Sequence, residues 1–434
     1  MNKYLQKLME KLIAFSNMKS VIALKDGFLL TMPITLAGSI FLLIANFPIP
    51  NWQEFVAGYL GANWNIGLKQ VSSSTFDILA IIAVLGISYT YAKNEKVNAI
   101  SCSLLSLVSF LIITNTSVVA TESGEVVTGV IPKAWVNGNG VIAAIIIGLI
   151  MPKIFCYFIK KRIIIKMPEG VPEGVSNAFA ALIPGIFIMF ISATAYHITK
   201  VVTNLSVTEV IFKVFQIPLQ ALSSSLGGGI IIIALMSLLF WAGLHGPNIV
   251  NGVVSSLLLA NAMSNQDIIN AGQELIGNDN AKIVTKQVVE NFCKFGGTGI
   301  TLGLIIAVLL VAKSNQLRSI SKMSLLAGLF NVNEPIIFGL PIVFNPLLLI
   351  PFIVVPVGAM IITYFSIYLG FMQPFGSLIL PWTTPPFISG FLLGGIPGAI
   401  VQLVILAFSV AIYYPFVKAQ DRLLVKEETA ISNE

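Results

Sequence analysis

Glu334 is the only charged residue among the 95 positions between Lys322 and Lys418. It lies in FNVNEPIIFGLP, residues 330–341, directly before Pro335. The residue before a proline is steered away from α geometry, so this carboxylate sits at a built-in break. Flanked by Asn331 and Asn333, it is placed to bind a hydroxyl, act as a general base or carry a proton. The plainer alternative is a protonated glutamic acid bonded to nearby backbone. A second break, LFWAGLHGPNIVNG at 239–252, holds His245 between Gly243 and Gly246-Pro247. A neutral imidazole donates to a hydroxyl and a protonated one stabilises an anion; a packing histidine is the alternative. Trp382, in LILPWTTPPF, offers an aromatic face suited to sugar C–H groups, or an anchor in a membrane interface. Asn137, in WVNGNG, is either a further polar ligand or part of a plain turn.

These residues stand in a chain that is 56% hydrophobic and 10% charged, against about 25% charged in an average soluble domain. Apolar runs long enough to cross about 30 Å of hydrocarbon recur from end to end. The fold class expected is an all-α polytopic membrane protein of about ten transmembrane helices, plus two re-entrant hairpins and amphipathic surface helices. Candidate spans fall near 27–48, 72–92, 97–114, 141–160, 177–199, 221–243, 247–263, 295–312, 344–368 and 396–417. With both termini cytoplasmic, the segments 1–25, 93–96, 153–166, 313–322 and 418–426 carry 18 of the 25 Lys and Arg residues. That bias follows the positive-inside rule and accounts for the net charge of +6 without nucleic acid.

Two apolar segments do not read as ordinary spans. One is 324–343, around Glu334; the other is 369–395, interrupted by Pro374, Pro381, Pro385 and Pro386. Irregular backbone at membrane depth must be satisfied by protein or by a wet cavity, so both read as re-entrant hairpins. Residues 3–19 read as an interfacial helix, with Lys3, Lys7 and Lys11 opposite an apolar stripe. Residues 204–219 read as an amphipathic connecting helix between domains at 1–203 and 220–434. The basic stretch Lys160, Lys161, Arg162 and Lys166 is either a topology signal in contact with anionic lipid or a docking surface for a cytosolic protein.

The absences narrow the chemistry. No P-loop motif occurs, and Cys102, Cys156 and Cys293 have no metal or redox spacing. The residues call for no cofactor and no metal. The pattern suits a membrane pocket for a neutral, hydroxyl-rich solute.

NVNEPIIFGLP, with FWAGLHGPN and VPEGVSNAFAALIP before it, resembles the sugar-translocating IIC component of the bacterial phosphotransferase system. The branch is that for lactose, cellobiose and diacetylchitobiose, with Bacillus-type diacetylchitobiose-specific members nearest. The resemblance implies a homodimer in the bacterial cell membrane, with an N-terminal dimerisation domain and a C-terminal sugar-binding domain that carries a disaccharide by rigid-body alternating access. It implies separate IIB and IIA partners, with the sugar 6-hydroxyl taking a phosphoryl group from phosphocysteine IIB. Glu334 would bind that hydroxyl and help remove its proton, and His245 would bind the same sugar. Trp382 would stack on a ring and Asn137 would close the pocket. The competing expectation is a proton-coupled secondary sugar transporter using Glu334 as its proton site.

Overall fold

Apolar runs divided by Gly, Pro and Asn emerge as helices in the computed structural model, which describes residues 18–49, 51–119, 125–168, 170–340 and 342–432. The expected interfacial helix at 3–19 lies almost wholly outside the described residues. Helices α1 (Lys19–Leu29), α2 (Met32–Ala45), α3 (Trp52–Leu60), α4 (Ile66–Phe76), α5 (Leu79–Asn94) and α6 (Ala99–Ile112) come first. A small hairpin, β1 (Ser117–Val119) against β2 (Val126–Thr128), follows with Ser117 opposite Thr128. It corrects the all-α expectation: the paired valines of SVV and VVT form a ladder too short to stand out by alternation.

The chain continues through α7 (Val141–Lys160), α8 (Glu173–Thr203), α9 (Val207–Ser224), α10 (Leu226–Trp241), α11 (Gly246–Asn270), α12 (Thr301–Val311), α13 (Asn315–Leu329), α14 (Glu334–Gly339), α15 (Pro346–Tyr368) and α16 (Ile388–Ser432). Among the described residues five stretches are long and apolar enough to cross a membrane, or up to seven if two bent helix pairs each count as one span. The ten expected spans all coincide with helices, but α6 has 14 residues and α12 has 11. At 1.5 Å per residue these reach only about 21 and 17 Å, short of the hydrocarbon thickness. The architecture is that of a polytopic helical membrane protein.

The outer surface confirms the solvent. Phe179, Ile186, Phe190, Val201 and Val202 on α8 are exposed, whereas its Ser192 is buried against Ser109 of α6, with the two hydroxyls 2.7 Å apart. Helix α9 shows the same inversion: Val214, Phe215 and Ile217 face outward while Thr208, Gln216 and Gln220 are buried. In water that arrangement would be backwards; against lipid tails it puts each side chain where its transfer free energy favours.

Contacts divide the described residues into two units. The first takes those up to Gly38, Gln70–Ala221 and Asn251–Met263; the second takes Ser39–Lys69, Leu222–Val250 and Ser264 onward. Neither is one continuous stretch, unlike the segments 1–203 and 220–434 read from the sequence. In the first unit α5 packs on α1, α6 and α7, with α8 against α6 and α7. A Cβ on either Gly27 or Gly86 would collide with the other helix's backbone, so α1 and α5 approach as only small residues allow. Glu95, just past α5, is buried between Lys19, 2.6 Å away, and Lys160 at the end of α7. Hydrogen bonds from Lys160 and Lys19 hold its carboxyl below the usual range.

In the second unit α10 packs on α15, and α12 packs on α13 and α16. The far end of α16 returns to the start of α13. Asp421 accepts from the backbone N–H groups of Lys313 and Ser314, both at 2.8 Å, and Glu428 accepts from the Ser314 hydroxyl at 2.6 Å. Two carboxylates thereby satisfy donors that a helix start leaves open.

Candidate functional site

The two breaks carrying Glu334 and His245 both lie in the second unit. At the first, α13 ends at Leu329 and the chain turns through Asn331, whose φ of 65° is left-handed and suited to asparagine. Helix α14 then opens at Glu334 with Pro335 in its first turn, where the missing N–H is harmless. The Glu334 backbone is thus fixed at a helix start; its side chain lies outside what the structure describes.

Asn331 and Asn333 hold this turn in place. The Asn331 amide accepts from Gly296 N–H at 2.6 Å and donates to the carbonyls of Trp382 (2.6 Å) and Thr384 (2.9 Å). Asn333 donates to the Thr298 carbonyl at 2.9 Å. Expected as sugar ligands, both bind backbone in the structure. With both Nδ2 hydrogens engaged, Asn331 has no donor left for a sugar. The Glu334 turn, the glycine-rich 296–299 strip and the Trp382 loop are thereby joined, and the indole of Trp382 stands half-exposed.

At the second break, α10 ends at Trp241, Gly243 takes a φ of 80°, and His245 caps α11. A Cβ at Gly246 would strike the Met236 carbonyl, which is why glycine follows the histidine. His245 Nδ1 accepts from Asn248 N–H at 3.3 Å, assigning the proton of a neutral ring to Nε2, a hydrogen-bond donor. The ring meets Phe240 edge-on at 5.0 Å. Trp241 Nε1 donates to the Asn345 carbonyl at 2.8 Å, and Phe344 N–H donates to the Trp241 carbonyl at 3.0 Å. These bonds tie the histidine turn to the chain just beyond α14.

Asn137 belongs to the first unit, so it is described apart from the others. It is buried, and its Oδ1 accepts from Asn139 N–H at 2.9 Å, capping a single 3-10 turn. Gln216 donates to the neighbouring Gly138 carbonyl at 2.9 Å.

The polar segment 284–294 lies between the spans expected at 247–263 and 295–312, and nothing in the sequence singles it out. Val288–Phe292 form a π-helical turn, a rare distortion frequent at functional sites; a second one lies at Phe212–Gln216 within α9. Lys286, Glu290 and Lys294 follow at intervals of four, with Lys294 2.6 Å from Glu290. Desolvation pushes the Lys286 ammonium below the usual lysine range, opposed by Glu290. On the same stretch the buried atoms Thr285 Oγ1, Gln287 Oε1 and Asn291 Nδ2 have no hydrogen-bond partner among the described residues. Unmatched polar atoms this close together suit an oxygen-rich ligand.

The irregular segment 369–387 has few backbone bonds of its own, and neighbouring side chains supply the rest. Asn265 donates to the Phe375 carbonyl (2.9 Å), and Gln287 donates to those of Gly376 (2.6 Å) and Leu378 (2.7 Å). Gln266 and Ser39 accept from Ser377 N–H (3.2 Å) and Ile379 N–H (2.9 Å). Beyond it, α16 is two helices joined at Gly395 (φ 62°, ψ −153°), and its first turn folds back on its second part. A Cβ at Gly398 would collide with the Gly390 carbonyl.

The site is therefore a set of helix breaks framed by amides, with a histidine donor, a half-exposed indole and a carboxylate-bearing turn. Residues 25–356 match the model of the family described as Phosphotransferase system, EIIC. The chain belongs to that family. It is 36% identical to the lichenan permease IIC component of Bacillus subtilis strain 168, covering 99% of this chain and 96% of that one. It is 35% identical to the cellobiose-specific EIIC component of Geobacillus stearothermophilus, covering 94% and 91%. Among solved structures it is similar to the transporter ChbC, the IIC component from the N,N′-diacetylchitobiose-specific phosphotransferase system. That match has 40% identity, a TM-score of 0.91 and 98% coverage of both chains. This EIIC chain thus carries the family's fold over nearly its whole length.

Proposed function

We propose that this EIIC chain binds a β-linked disaccharide of the cellobiose or diacetylchitobiose type and presents its 6-hydroxyl to a phosphocysteine on a IIB partner, itself recharged by IIA. The observation that carries the reading is the break at Asn333–Pro335, which sets a carboxylate at a helix start in a chain of EIIC fold. Relatives named for lichenan, cellobiose and diacetylchitobiose support the sugar class.

In this reading Glu334 accepts the hydrogen bond of the 6-hydroxyl and takes its proton as the oxygen attacks phosphorus. The P–O bond forms as the P–S bond breaks, and the cysteine leaves as thiolate. His245 donates from Nε2 to the sugar or to the charge developing on the phosphoryl group. Trp382 stacks on a pyranose face. Asn331 and Asn333 serve by holding the Glu334 turn. The protein works as a homodimer with both termini cytoplasmic. It moves the sugar by alternating access of the C-terminal domain read over 220–434. Trapping follows because the phosphorylated product is an anion with no fitting exit site.

The test is an assay in vesicles containing the purified protein and labelled diacetylchitobiose or cellobiose. Phosphorylated sugar accumulates only with phospho-IIB. Uptake of unmodified sugar driven by a proton gradient alone would overturn the proposal in favour of a proton-coupled transporter. Competition among diacetylchitobiose, cellobiose and lactose then identifies the substrate.

A further inference from the structure

Gln402 lies on α16, completely buried, and all four of its hydrogen-bonding positions are filled. Its Oε1 accepts from Phe387 N–H at 2.5 Å and Gly390 N–H at 3.1 Å. Its Nε2 donates to the Asn291 carbonyl at 2.8 Å and the Ser389 hydroxyl at 2.9 Å. One side chain thus joins the end of the Trp382 loop, the short first helix of α16 and the π-helical turn. The glycines around it fit that task. A Cβ at Gly390 would press on Gln402 Oε1 at 2.6 Å and on the Gly398 carbonyl at 2.7 Å. The fold-back at Gly395 exists in the form that lets this amide reach both sides.

The loop it anchors has no ladder or helix to set its path, so its course rests on bonds from side chains around it. At its Trp382 end Asn331 binds the carbonyls of Trp382 and Thr384. At its far end the anchor is Gln402. Only a carboxamide has the donor pair and the acceptor pair needed there; a carboxylate lacks the donors, and an apolar side chain lacks both.

We propose that Gln402 is a positioning residue for the sugar site: by tying the end of the Trp382 loop to the π-helical turn it sets where the indole stands, and so sets affinity for the sugar without taking part in phosphoryl transfer. This rests on the reading of Trp382 as the stacking residue. Gln402 is far from the breaks in sequence and touches none of the reacting groups assigned above.

The experiment compares Q402M, which removes both functions, with Q402E, which keeps the acceptors. S409A serves as a control on the same helix, losing one buried hydroxyl bond to the Ile300 carbonyl. Each purified full-length variant is measured for sugar Kd, for KM and kcat with phospho-IIB, and for acrylamide quenching of the Trp382 signal, taken as the difference from W382F. For Q402M the expected result is a rise in Kd and KM of about tenfold, kcat within about twofold, and greater quenching of Trp382. Q402E falls between Q402M and wild type, and S409A matches wild type. The proposal is overturned if Q402M leaves Kd and Trp382 quenching unchanged, or if S409A changes them equally. If the wild type neither binds nor phosphorylates sugar, the proposed function fails, and quenching alone still decides whether Gln402 positions the indole.

Discussion

At the scale of single residues, Glu334 and Asn331 show two uses of polarity in an apolar chain. Glu334→Gln keeps shape and removes the base. Phosphoryl transfer should fall by about a hundredfold or more, the usual size of a general-base contribution. Sugar binding should weaken by about 1–3 kcal/mol, as for loss of a hydrogen bond to a charged group. Single-turnover phosphorylation and calorimetric binding read these separately, and wild-type turnover would remove Glu334 from the chemistry. The sequence made this residue legible because charge is so scarce around it. It did not reveal what Asn331 and Asn333 do, because their partners are backbone groups 35 to 53 positions away. An asparagine beside a candidate ligand looks like another ligand until its bonds are seen. Lys286, Glu290 and Lys294 are visible by spacing, yet charges at intervals of four between two apolar spans look like an ordinary solvated loop.

At the scale of elements, the helices were legible from apolar run length, whereas their breaks were only partly so. Pro335 and Gly246-Pro247 advertise two of them. At Gly395 the sequence shows a boundary, between the hairpin read over 369–395 and the span read over 396–417, but not the fold-back; the close approach of Gly390 and Gly398 depends on a conformation no period encodes. The Glu95 node illustrates a different link between elements, binding α1 and α7 through the loop after α5. Its carboxyl is held below the usual range, so the folded chain binds that proton less tightly than the unfolded chain does. The stability it contributes is full above the unfolded carboxylate value of about 4.3 and disappears as pH falls through the lower folded value. Glu95→Gln should therefore lower the Tm at pH 7, and the gap to wild type should close in acid. Thermal unfolding in detergent across pH tests this, and a gap that widens in acid would contradict it.

For the whole molecule, what is buried and what is exposed follow from the bilayer rather than water. Exposed Phe190 and Val202 on α8 beside buried Ser192 are the signature, and composition alone announced it. The proposed sidedness rests on the charge bias, and the exposed Ile163, next to Arg162 beyond the end of α7, provides a probe of it. Native Cys102, Cys156 and Cys293 are buried, so a membrane-impermeant maleimide should leave them unmodified in the folded protein. Ile163→Cys should then react from the cytoplasmic side only: in inside-out vesicles but not in right-side-out ones. Labelling in right-side-out vesicles alone would reverse the orientation.

The side chains that hold the Trp382 loop, Asn265, Gln266, Gln287, Asn331 and Gln402, are all carboxamides, joined by the hydroxyl of Ser39. None of these groups ionises in the range in which a cell lives. These bonds to the Trp382 loop therefore do not depend on protonation of the side chains that make them. In the proposed reading a change of sugar affinity with pH then comes from groups other than these carboxamides, so a simple titration of binding reads chemistry rather than the shape of this loop.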